Sequence, residues 1–315
     1  KPALGLVEYE GSKRNNLVDL NGGSHHVQSC VVYHDPEEDE RRFKMLFQTR
    51  HFNSRFAAAY SADGLTWTEY PGNPVGSLLE MAGGTRLNGI YFVSGQGLNH
   101  PGASRQMVNH LSYDFEYWSP AFCIGLRRDQ SFRQHWGLNS GEQVHLGASM
   151  WNRGNVIVGL YGMWNGHASN DRRLTHMDLG LCISQDALHF REPIPDFPIV
   201  SAAEDGWREL PHGYPIIEKP PALIQGQGCF NIGDETLFWY APWPEQASDG
   251  VRVASWQRDR LGYLCGYLRK GWHEQYSCHC ISAPIDLEGR PARLFLNADG
   301  LGDRGSVLAE GVGES

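Results

Sequence analysis

A seven-residue phrase occurs three times in this 315-residue chain and constrains its fold more than any other feature. Each copy begins Ser-x-Asp, reaches an aromatic residue four positions after the aspartate, and is soon followed by a proline. The copies are Ser61–Trp67, Ser112–Trp118 and Ser184–Phe190, with a weaker echo at Ala254–Trp256. Because Ser and Asp side chains hydrogen-bond the backbone of turns, the phrase predicts a repeated turn. Its aromatic residue is expected to pack between sheets.

Strand-like sequence precedes every copy of the phrase. The runs are short, apolar and rich in aromatic or β-branched residues, such as Phe43–Gln48, Ile90–Ser94, Val156–Tyr161 and Thr236–Tyr240. The serines that open the three copies lie 51 and 72 residues apart. Units of this length with several strands are typical of propeller blades. No segment has the period of an amphipathic helix, so the sequence predicts an all-β chain folded as a β-propeller.

Composition agrees with this fold and excludes several others. Glycine contributes 37 residues, proline 17, and aromatic residues make up 11% of the chain, which suits short strands and many turns rather than a helical bundle. No apolar run approaches the roughly 20 residues that cross a membrane. The net charge is −9, without a basic block, so neither a membrane nor a nucleic acid is expected as a partner.

Three segments resemble a known group of proteins: Ser61–Trp67 with Asn73-Pro74, Leu181–Phe190, and Gly233–Tyr240. They are similar to the five-bladed β-propeller glycoside hydrolases and their relatives, which include invertase-like, arabinanase-like and mannoside-phosphorylase-like enzymes. A narrower resemblance, to an uncharacterised bacterial branch of that group, is carried by Lys1–Tyr9, Asn15-Asn16 and Arg258–Tyr263. In that branch a β-sandwich follows the propeller.

The resemblance implies a five-bladed propeller whose first blade is incomplete in this chain, leaving about four blades and flanking pieces. The propeller domain is expected over residues 1–275. Residues 276–315 are expected to form C-terminal strands, either the start of a β-sandwich or the closure of the propeller. The strands predicted there are Pro284–Gly289 and Arg293–Asn297. The group's first inner-strand carboxylate, usually a nucleophile or base, would then lie upstream of this chain.

The innermost strand of each blade can be located by the turn that closes it. The closing turns are predicted at His34–Glu38, Leu87–Gly89, Asn152–Gly154 and Ile232–Glu235. About ten residues upstream of each turn, the strand should begin at the mouth of the central channel. The residues found there are His25, His26, Glu80, Glu142, His145, Gln225 and Gln227.

Glycoside cleavage needs two carboxylates on opposite sides of the bond, one acting as acid and the other as base or nucleophile. Glu142 is the first candidate, because it stands among glycines in the blade where the resembled group often has its acid. Glu80 is the second, and Asp178 could tune the pKa of a neighbour. The alternative for each is an ordinary polar residue at a turn or strand start. Aspartates within the repeated phrase are interpreted as structural.

Sugar-binding residues are predicted among the polar and aromatic side chains of the same end. His100 and His167 each follow a strand at a similar distance in successive blades. With His25, His26, His145, Gln225 and Gln227 they could hydrogen-bond hydroxyl groups. Trp164 could stack on a sugar ring, as could the tryptophans at 136, 151 and 243, although most tryptophans should be core. Each histidine could instead have a structural role.

No cofactor is predicted. A metal in the channel stays open as an alternative, through His25, His26 and His145, but convergence of ligands cannot be read from sequence. The seven cysteines are odd in number and scattered, which favours free thiols and slightly favours a cytoplasmic location, although the compartment is not fixed. Cys278 and Cys280 supply only two zinc ligands.

The sequence therefore predicts a carbohydrate-active enzyme, a glycoside hydrolase with a glycan substrate. One alternative is a non-catalytic glycan-binding propeller, favoured by histidine and glutamine where acids are often found. Another is a glycoside phosphorylase, for which Arg127-Arg128 and Arg172-Arg173 are possible phosphate ligands. The sugar, the linkage and the oligomeric state are not specified.

Overall fold

The structure is a computed structural model that describes most of the first 262 residues and short pieces beyond them. The described residues are 3–20, 27–97, 105–128, 139–204, 222–243, 251–262, 287, 289–296, 298, 303 and 306–311. The chain divides into two compact units, Lys1–Gly262 and Tyr263–Ser315. The boundary predicted between 275 and 276 lies outside the described residues, so it stays a prediction.

The described part of the first unit is built from strands, with two short 3₁₀ helices at Arg50–Phe52 and Arg172–Leu174. Sixteen strands are present: β1 Asp19–Leu20, β2 Val27–His34, β3 Phe43–Thr49, β4 Phe56–Ser61, β5 Thr66–Glu69, β6 Glu80–Leu87, β7 Ile90–Gln96, β8 Met107–Ser112, β9 Cys123–Leu126, β10 Gly141–Asn152, β11 Ile157–Gly166, β12 His176–Ser184, β13 Pro198–Val200, β14 Leu223–Ile232, β15 Glu235–Pro242 and β16 Arg252–Gln257. None of the described helices is long and apolar enough to cross a membrane.

These strands form four sheets that follow one another along the chain. Their orders are β2-β3-β4-β5-β1, β6-β7-β8-β9, β10-β11-β12-β13 and β14-β15-β16. Neighbouring strands pair antiparallel, except for β1 with β5. The first long strand of each sheet, namely β2, β6, β10 or β14, packs against the first strands of other sheets. Each sheet thus runs from the centre outwards, which is the arrangement of a β-propeller.

All four predicted closing turns lie where the sequence puts them, between the first and second strands of a sheet. The tightest joins β6 to β7, where Leu87 pairs with Ile90. Its two central residues, Asn88 and Gly89, have φ of 51° and 80°. Positive φ at both positions is what a two-residue hairpin turn requires, and Asn-Gly adopts it most readily.

The four inner strands share an irregularity near their beginnings. Pairing with the second strand shifts after Val27, Met81, His145 and Gln225. Such bulges leave backbone groups outside the hairpin ladder, where they can meet the next sheet. Four contacts join the sheets at this level: Met81 N to Ser29 Oγ at 3.2 Å, Ala148 N to Ser94 Oγ at 3.0 Å, Ser149 Oγ to the Gly226 carbonyl, and Gln227 Nε2 to the Cys30 carbonyl. Together they connect all four sheets around the axis.

Glycine allows the second and third sheets to approach closely. A Cβ on Gly83 would lie 2.7 Å from the carbonyl oxygen of Ala148 and 2.8 Å from Ser149 Cα. In the β10 bulge Gly147 has a φ of 89°, and a Cβ there would lie 2.7 Å from Ser94 Oγ. Side chains at these two positions would push the inner strands apart.

The hydrophobic core is divided between successive sheets. Phe56, Tyr91 and Trp118 are among the residues that fill the space between the first and second sheets. Phe92, Val144 and Phe190 belong to the cluster between the second and third, and Leu160, Leu223 and Phe238 to the one between the third and fourth. The aromatic residues of two repeated phrases, Trp118 and Phe190, therefore pack between sheets as predicted.

The repeated phrase forms the predicted turn in all three copies. Asp114 Oδ1 accepts hydrogen bonds from the backbone N–H groups of Glu116 and Tyr117 at 2.9 and 2.7 Å, and from Ser112 Oγ. Asp63 and Asp186 make the equivalent contacts. The structural interpretation of these aspartates is confirmed.

The described residues form four blades, not the five that the resembled group has, and this agrees with the expectation of about four blades in this chain. The first of them is a sheet of five strands. The echo at Ala254–Trp256 is not a turn, because it lies within β16, where Ser255 Oγ donates to Glu235. The C-terminal β-sandwich is not shown and stays a prediction, since most of residues 276–315 lie outside the described residues. The strand predicted at Arg293–Asn297 is not found in its described part: residues 293–296 are in no strand, and Phe295 is 85% exposed.

Candidate functional site

Several predicted site residues meet at the end of the propeller where the inner strands begin, which we call the mouth. It is defined by Glu80 at the start of β6, residues 141–145 of β10, and Gln225 of β14. The ends of the second strands, at Gln96 and Trp164, lie beside them through strand pairing. The bulges at similar positions in all inner strands fix these residues at one level.

Glu80 is an exposed residue whose carboxylate is oriented by Gln96. Gln96 Nε2 donates to Glu80 Oε2 at 3.0 Å, while Gln96 Oε1 accepts from the backbone N–H of Leu146 at 3.4 Å. One glutamine thus joins the carboxylate to the β10 bulge in the next sheet. Glu80 also interacts electrostatically with Arg105: burial and the charge of Arg172 lower the pKa of Arg105 overall, and the carboxylate of Glu80 partly offsets them.

Glu142 lies on the side of the third sheet that faces Glu80. Side chains two apart on a strand share a face, so Glu142 lies on the same face as Val144. That face packs against Phe92 of the second sheet. Glu80 pairs with Gln96, which shares a face with Phe92. The two glutamates therefore lie on the facing sides of the second and third sheets, at the mouth.

A cluster of aromatic rings and guanidinium groups, which we call the His145 cluster, fills the other side of β10. The ring of His145 lies 5.7 Å from that of Trp164 and 4.9 Å from that of Trp243, centroid to centroid. Arg105 lies over the Trp164 ring at 4.2 Å, and Arg172 over the Trp243 ring at 4.6 Å. A cation over an indole face is a favourable contact.

Burial and charge keep His145 neutral. Its side chain is buried, with the residue only 6% exposed, and burial followed by the charges of Arg105 and Arg172 lowers its pKa to about 3. Burial and the charge of Arg172 also lower the pKa of Arg105. The positive charge of the cluster therefore resides on the two arginines rather than on the imidazole.

Gln225 Oε1 and His145 Nδ1 are among the buried polar atoms near the mouth that have no hydrogen-bond partner in the described part of the chain. Gln225 Nε2 donates to the carbonyl oxygens of His145 and Gly147 at 2.9 and 3.0 Å. These two acceptors fix the orientation of the amide, because the flipped group would oppose oxygen to oxygen. Buried polar atoms without partners are rare in proteins and point to a water or ligand.

Asp178 is not brought together with the two glutamates. It lies in β12, the third strand of its sheet, opposite Met163. Its carboxylate bonds His176 Nε2 at 2.8 Å and the backbone N–H of Ala202 at 2.7 Å. Burial alone would raise its pKa, but these hydrogen bonds and the charge of His176 lower it overall. The contacts hold the turn after β13.

The remaining residues predicted to bind the sugar differ in exposure and position. Trp164 is fully buried and enclosed by Arg105 and His145, so its predicted stacking on a sugar is corrected: no face is accessible. His167 is exposed just after β11 and bonds Ser169 Oγ at 2.7 Å. Gln227 joins the fourth sheet to the first through the backbone of Val32 and Cys30. His25, His26 and His100 lie outside the described residues.

Four contributors to the mouth were absent from the predicted site: Gln96, Arg105, Gln143 and Arg172. Gln143 Oε1 accepts from Arg105 NH1 at 2.9 Å. Gln96 could have been found, because the turn after Leu87 places it opposite Glu80. The arginines carry no comparable signal, since their convergence depends on packing between loops. Within the described residues no group of three His, Cys, Asp or Glu side chains could hold a metal.

The fold and the mouth place the described chain in the class of β-propellers. No family model matches the sequence, and no curated protein does. Among solved structures, an endo-1,4-β-xylanase from Bacteroides thetaiotaomicron is 12% identical, with a TM-score of 0.49 and coverage of 75% of this chain and 72% of that one. A thermostable family-43 glycoside hydrolase is 13% identical, with a TM-score of 0.48 and coverage of 73% and 71%. A GH32 β-fructofuranosidase from Bombyx mori is 10% identical, with a TM-score of 0.41 and coverage of 73% and 45%. With similarity this low, functional conclusions must come from the chain's own residues.

Proposed function

We propose that this protein is a glycoside hydrolase whose mouth holds the glycan between Glu80 and Glu142. The observation that supports the proposal is the strand pairing by which Glu80 and Glu142 belong to the facing sides of adjacent sheets. Hydrolysis of a glycosidic bond requires two carboxylates on opposite sides of that bond. Glu142 is assigned the role of acid and Glu80 that of base or nucleophile.

The surroundings of the pair support this assignment. Glu80 is exposed, so a substrate can reach it, while Gln96 limits its orientations. A preorganised carboxylate needs less rearrangement during the reaction. At the same mouth, on the other side of β10, Gln225 Oε1 and His145 Nδ1 are buried hydrogen-bonding atoms without a partner among the described residues, of a kind suited to sugar hydroxyl groups.

Asp178 is assigned to the stability of its blade rather than to the reaction. It is two strands further out than Glu142, and its oxygens are committed to His176 and Ala202. Asp178→Asn therefore serves as a comparison, because it removes a carboxylate of the same blade without touching the pair.

A hydrolysis screen on a panel of plant, algal and microbial glycans tests the proposal. Once a cleaved glycan is found, Glu142→Gln and Glu80→Gln should each lower kcat by at least about a hundredfold, the low end of the contribution of general acid–base catalysis. Asp178→Asn should keep kcat within a few fold. Full activity in both glutamine variants would refute the assignment.

Binding of a glycan without turnover by the intact protein would instead favour the alternative, a non-catalytic glycan-binding propeller. The observation behind that alternative is the number of amide side chains at the mouth. Gln96, Gln143 and Gln225 occupy positions at the starts of inner strands or beside them, and amides bind hydroxyl groups without supplying an acid or base.

A further inference from the structure

The mouth combines fixed positive charge with unpartnered polar atoms, although the chain as a whole is acidic, with a net charge of −9. From this combination we propose that the glycan bound at the mouth is anionic, and that Arg172 together with Arg105 binds its negatively charged group. The inference rests on the proposed function only in placing a glycan at this mouth, and it does not require hydrolysis.

The two guanidinium groups belong to one electrostatic unit. Burial lowers the pKa of His145 and that of Arg105; the charges of Arg105 and Arg172 lower the first further, and the charge of Arg172 lowers the second further. Like charges this close repel each other, and an anion that interacts with both relieves the repulsion. Guanidinium groups are also the side chains best shaped for carboxylates and other oxyanions, because they donate two parallel hydrogen bonds.

Each arginine is held in place by an aromatic ring. Arg172 lies over Trp243, and Arg105 lies over Trp164 while donating to Gln143 Oε1 and Asn139 Oδ1. These contacts orient the charges before a ligand arrives, so binding costs less side-chain entropy. Arg105 is half-buried and Arg172 exposed, which makes Arg172 the more accessible of the two.

An independent observation points to a ligand at the same location. Gln225 is 9% exposed and His145 is 6% exposed, and each keeps one buried atom without a partner among the described residues. Gln225 Nε2 donates to the carbonyl oxygen of His145, so both residues lie at one point of the mouth. A glycan hydroxyl can donate to Gln225 Oε1 while a charged substituent of the same glycan reaches the arginines.

The neighbouring arginine provides a matched control. Arg172 and Arg173 are consecutive residues of one 3₁₀ helix, and both are exposed. Arg173 is paired with Asp171, at 2.8 Å between NH2 and Oδ2, and Arg172 lies over Trp243. Replacing either one removes one positive charge from the same short segment. Only the change at Arg172 should affect selection of an anionic sugar.

The test measures binding by calorimetry to the full chain carrying Glu142→Gln, which prevents turnover during the titration. The probes are galacturonic acid oligomers, neutral galactose oligomers of the same linkage, a sulfated galactan and inorganic phosphate. At low salt the galacturonate or sulfated oligomer should bind at least about tenfold more tightly than the neutral one, as a charge-assisted contact implies. Arg172→Gln should abolish this preference, while Arg173→Gln keeps it.

Three results would overturn the inference: equal affinity for charged and neutral oligomers, loss of the preference in both arginine variants alike, or binding of inorganic phosphate without any charged glycan. The last of these would favour a phosphorylase. Circular dichroism and unfolding midpoints matching those of the unsubstituted protein ensure that Arg172→Gln reports on binding. Hydrolysis of neutral glycans only would support the proposed hydrolase and contradict the anionic ligand. Tight binding of galacturonate without turnover would support the anionic ligand and contradict the proposed hydrolase.

Discussion

The buried imidazole of His145 should make the stability of the folded protein depend on pH in a defined way. Its folded pKa is about 3, against an ordinary value of 6.5. Below pH 6.5 the unfolded chain binds a proton at this residue, and the folded protein does not until about pH 3. The unfolded state therefore holds more protons in this window, and the free energy of unfolding falls as the pH falls.

The size of the effect follows from the two pKa values. One pKa unit corresponds to about 1.4 kcal/mol. Between pH 7 and pH 5 the contribution of His145 to the free energy of unfolding should decrease by about 2 kcal/mol. Its variant His145→Phe keeps a ring of similar shape between Trp164 and Trp243 but cannot bind a proton, so this component should be absent.

Urea unfolding followed by tryptophan fluorescence at pH 7 and pH 5 measures the difference. Whatever the stability of His145→Phe at pH 7, its free energy of unfolding should rise by about 2 kcal/mol relative to that of the parent protein when the pH falls to 5. Ile157→Val is the control: it trims a fully buried side chain of the same sheet and should cost about 0.5 to 1.5 kcal/mol equally at both values. A relative gain below about 0.5 kcal/mol for His145→Phe would show that the folded protein accepts the proton.

Two further predictions concern packing and turns. Gly83→Ala should destabilise the protein by about 1 to 3 kcal/mol in urea unfolding, because its Cβ would meet the backbone of Ala148. Gly228→Ala is the control: the nearest neighbour of its Cβ would be an oxygen at 3.6 Å, so it should destabilise the protein clearly less. Equal losses of stability in the two variants would contradict the close approach of the sheets at Gly83. Asp186→Asn should lower stability at neutral pH, because hydrogen bonds from the backbone and from His189 hold the carboxylate pKa at about 2 despite its partial burial. This deficit should shrink as the pH falls from 3.8 towards 2, and a deficit independent of pH would argue against the ionised form.

The fold could be predicted from the sequence because its signals are local. Ser-x-Asp turns and the Asn88-Gly89 hairpin depend on residues a few positions apart, so both turns can be predicted without a structure. Counting back from the closing turns also located Glu80, Glu142 and Gln225 at the starts of inner strands. The expectation of about four blades in this chain agrees with the four sheets, whereas the five blades of the resembled group are not present among the described residues.

The parts of the mouth that were missed depend on contacts between distant segments. Arg105 precedes β8 and Arg172 belongs to a 3₁₀ helix, and only packing brings both to His145. Asp178 was expected just before an apolar strand and lies inside one, as the third residue of β12, and the sequence does not say which strand of the blade this is. Trp164 was expected at a surface for a similar reason, because tryptophan serves equally well in a core.

The contact of Gln227 with Cys30 also has a consequence for how the chain folds. It joins residues nearly 200 positions apart, whereas each sheet forms from strands that are neighbours in sequence. Local hairpins form fast, while contacts between remote segments must first overcome the entropy of closing a long loop. The individual sheets are therefore expected to form early and this joint between the fourth and first sheets late. During synthesis the first sheet therefore lacks its contact with the fourth sheet, and the edge of β2 stays uncovered until β14 has been made.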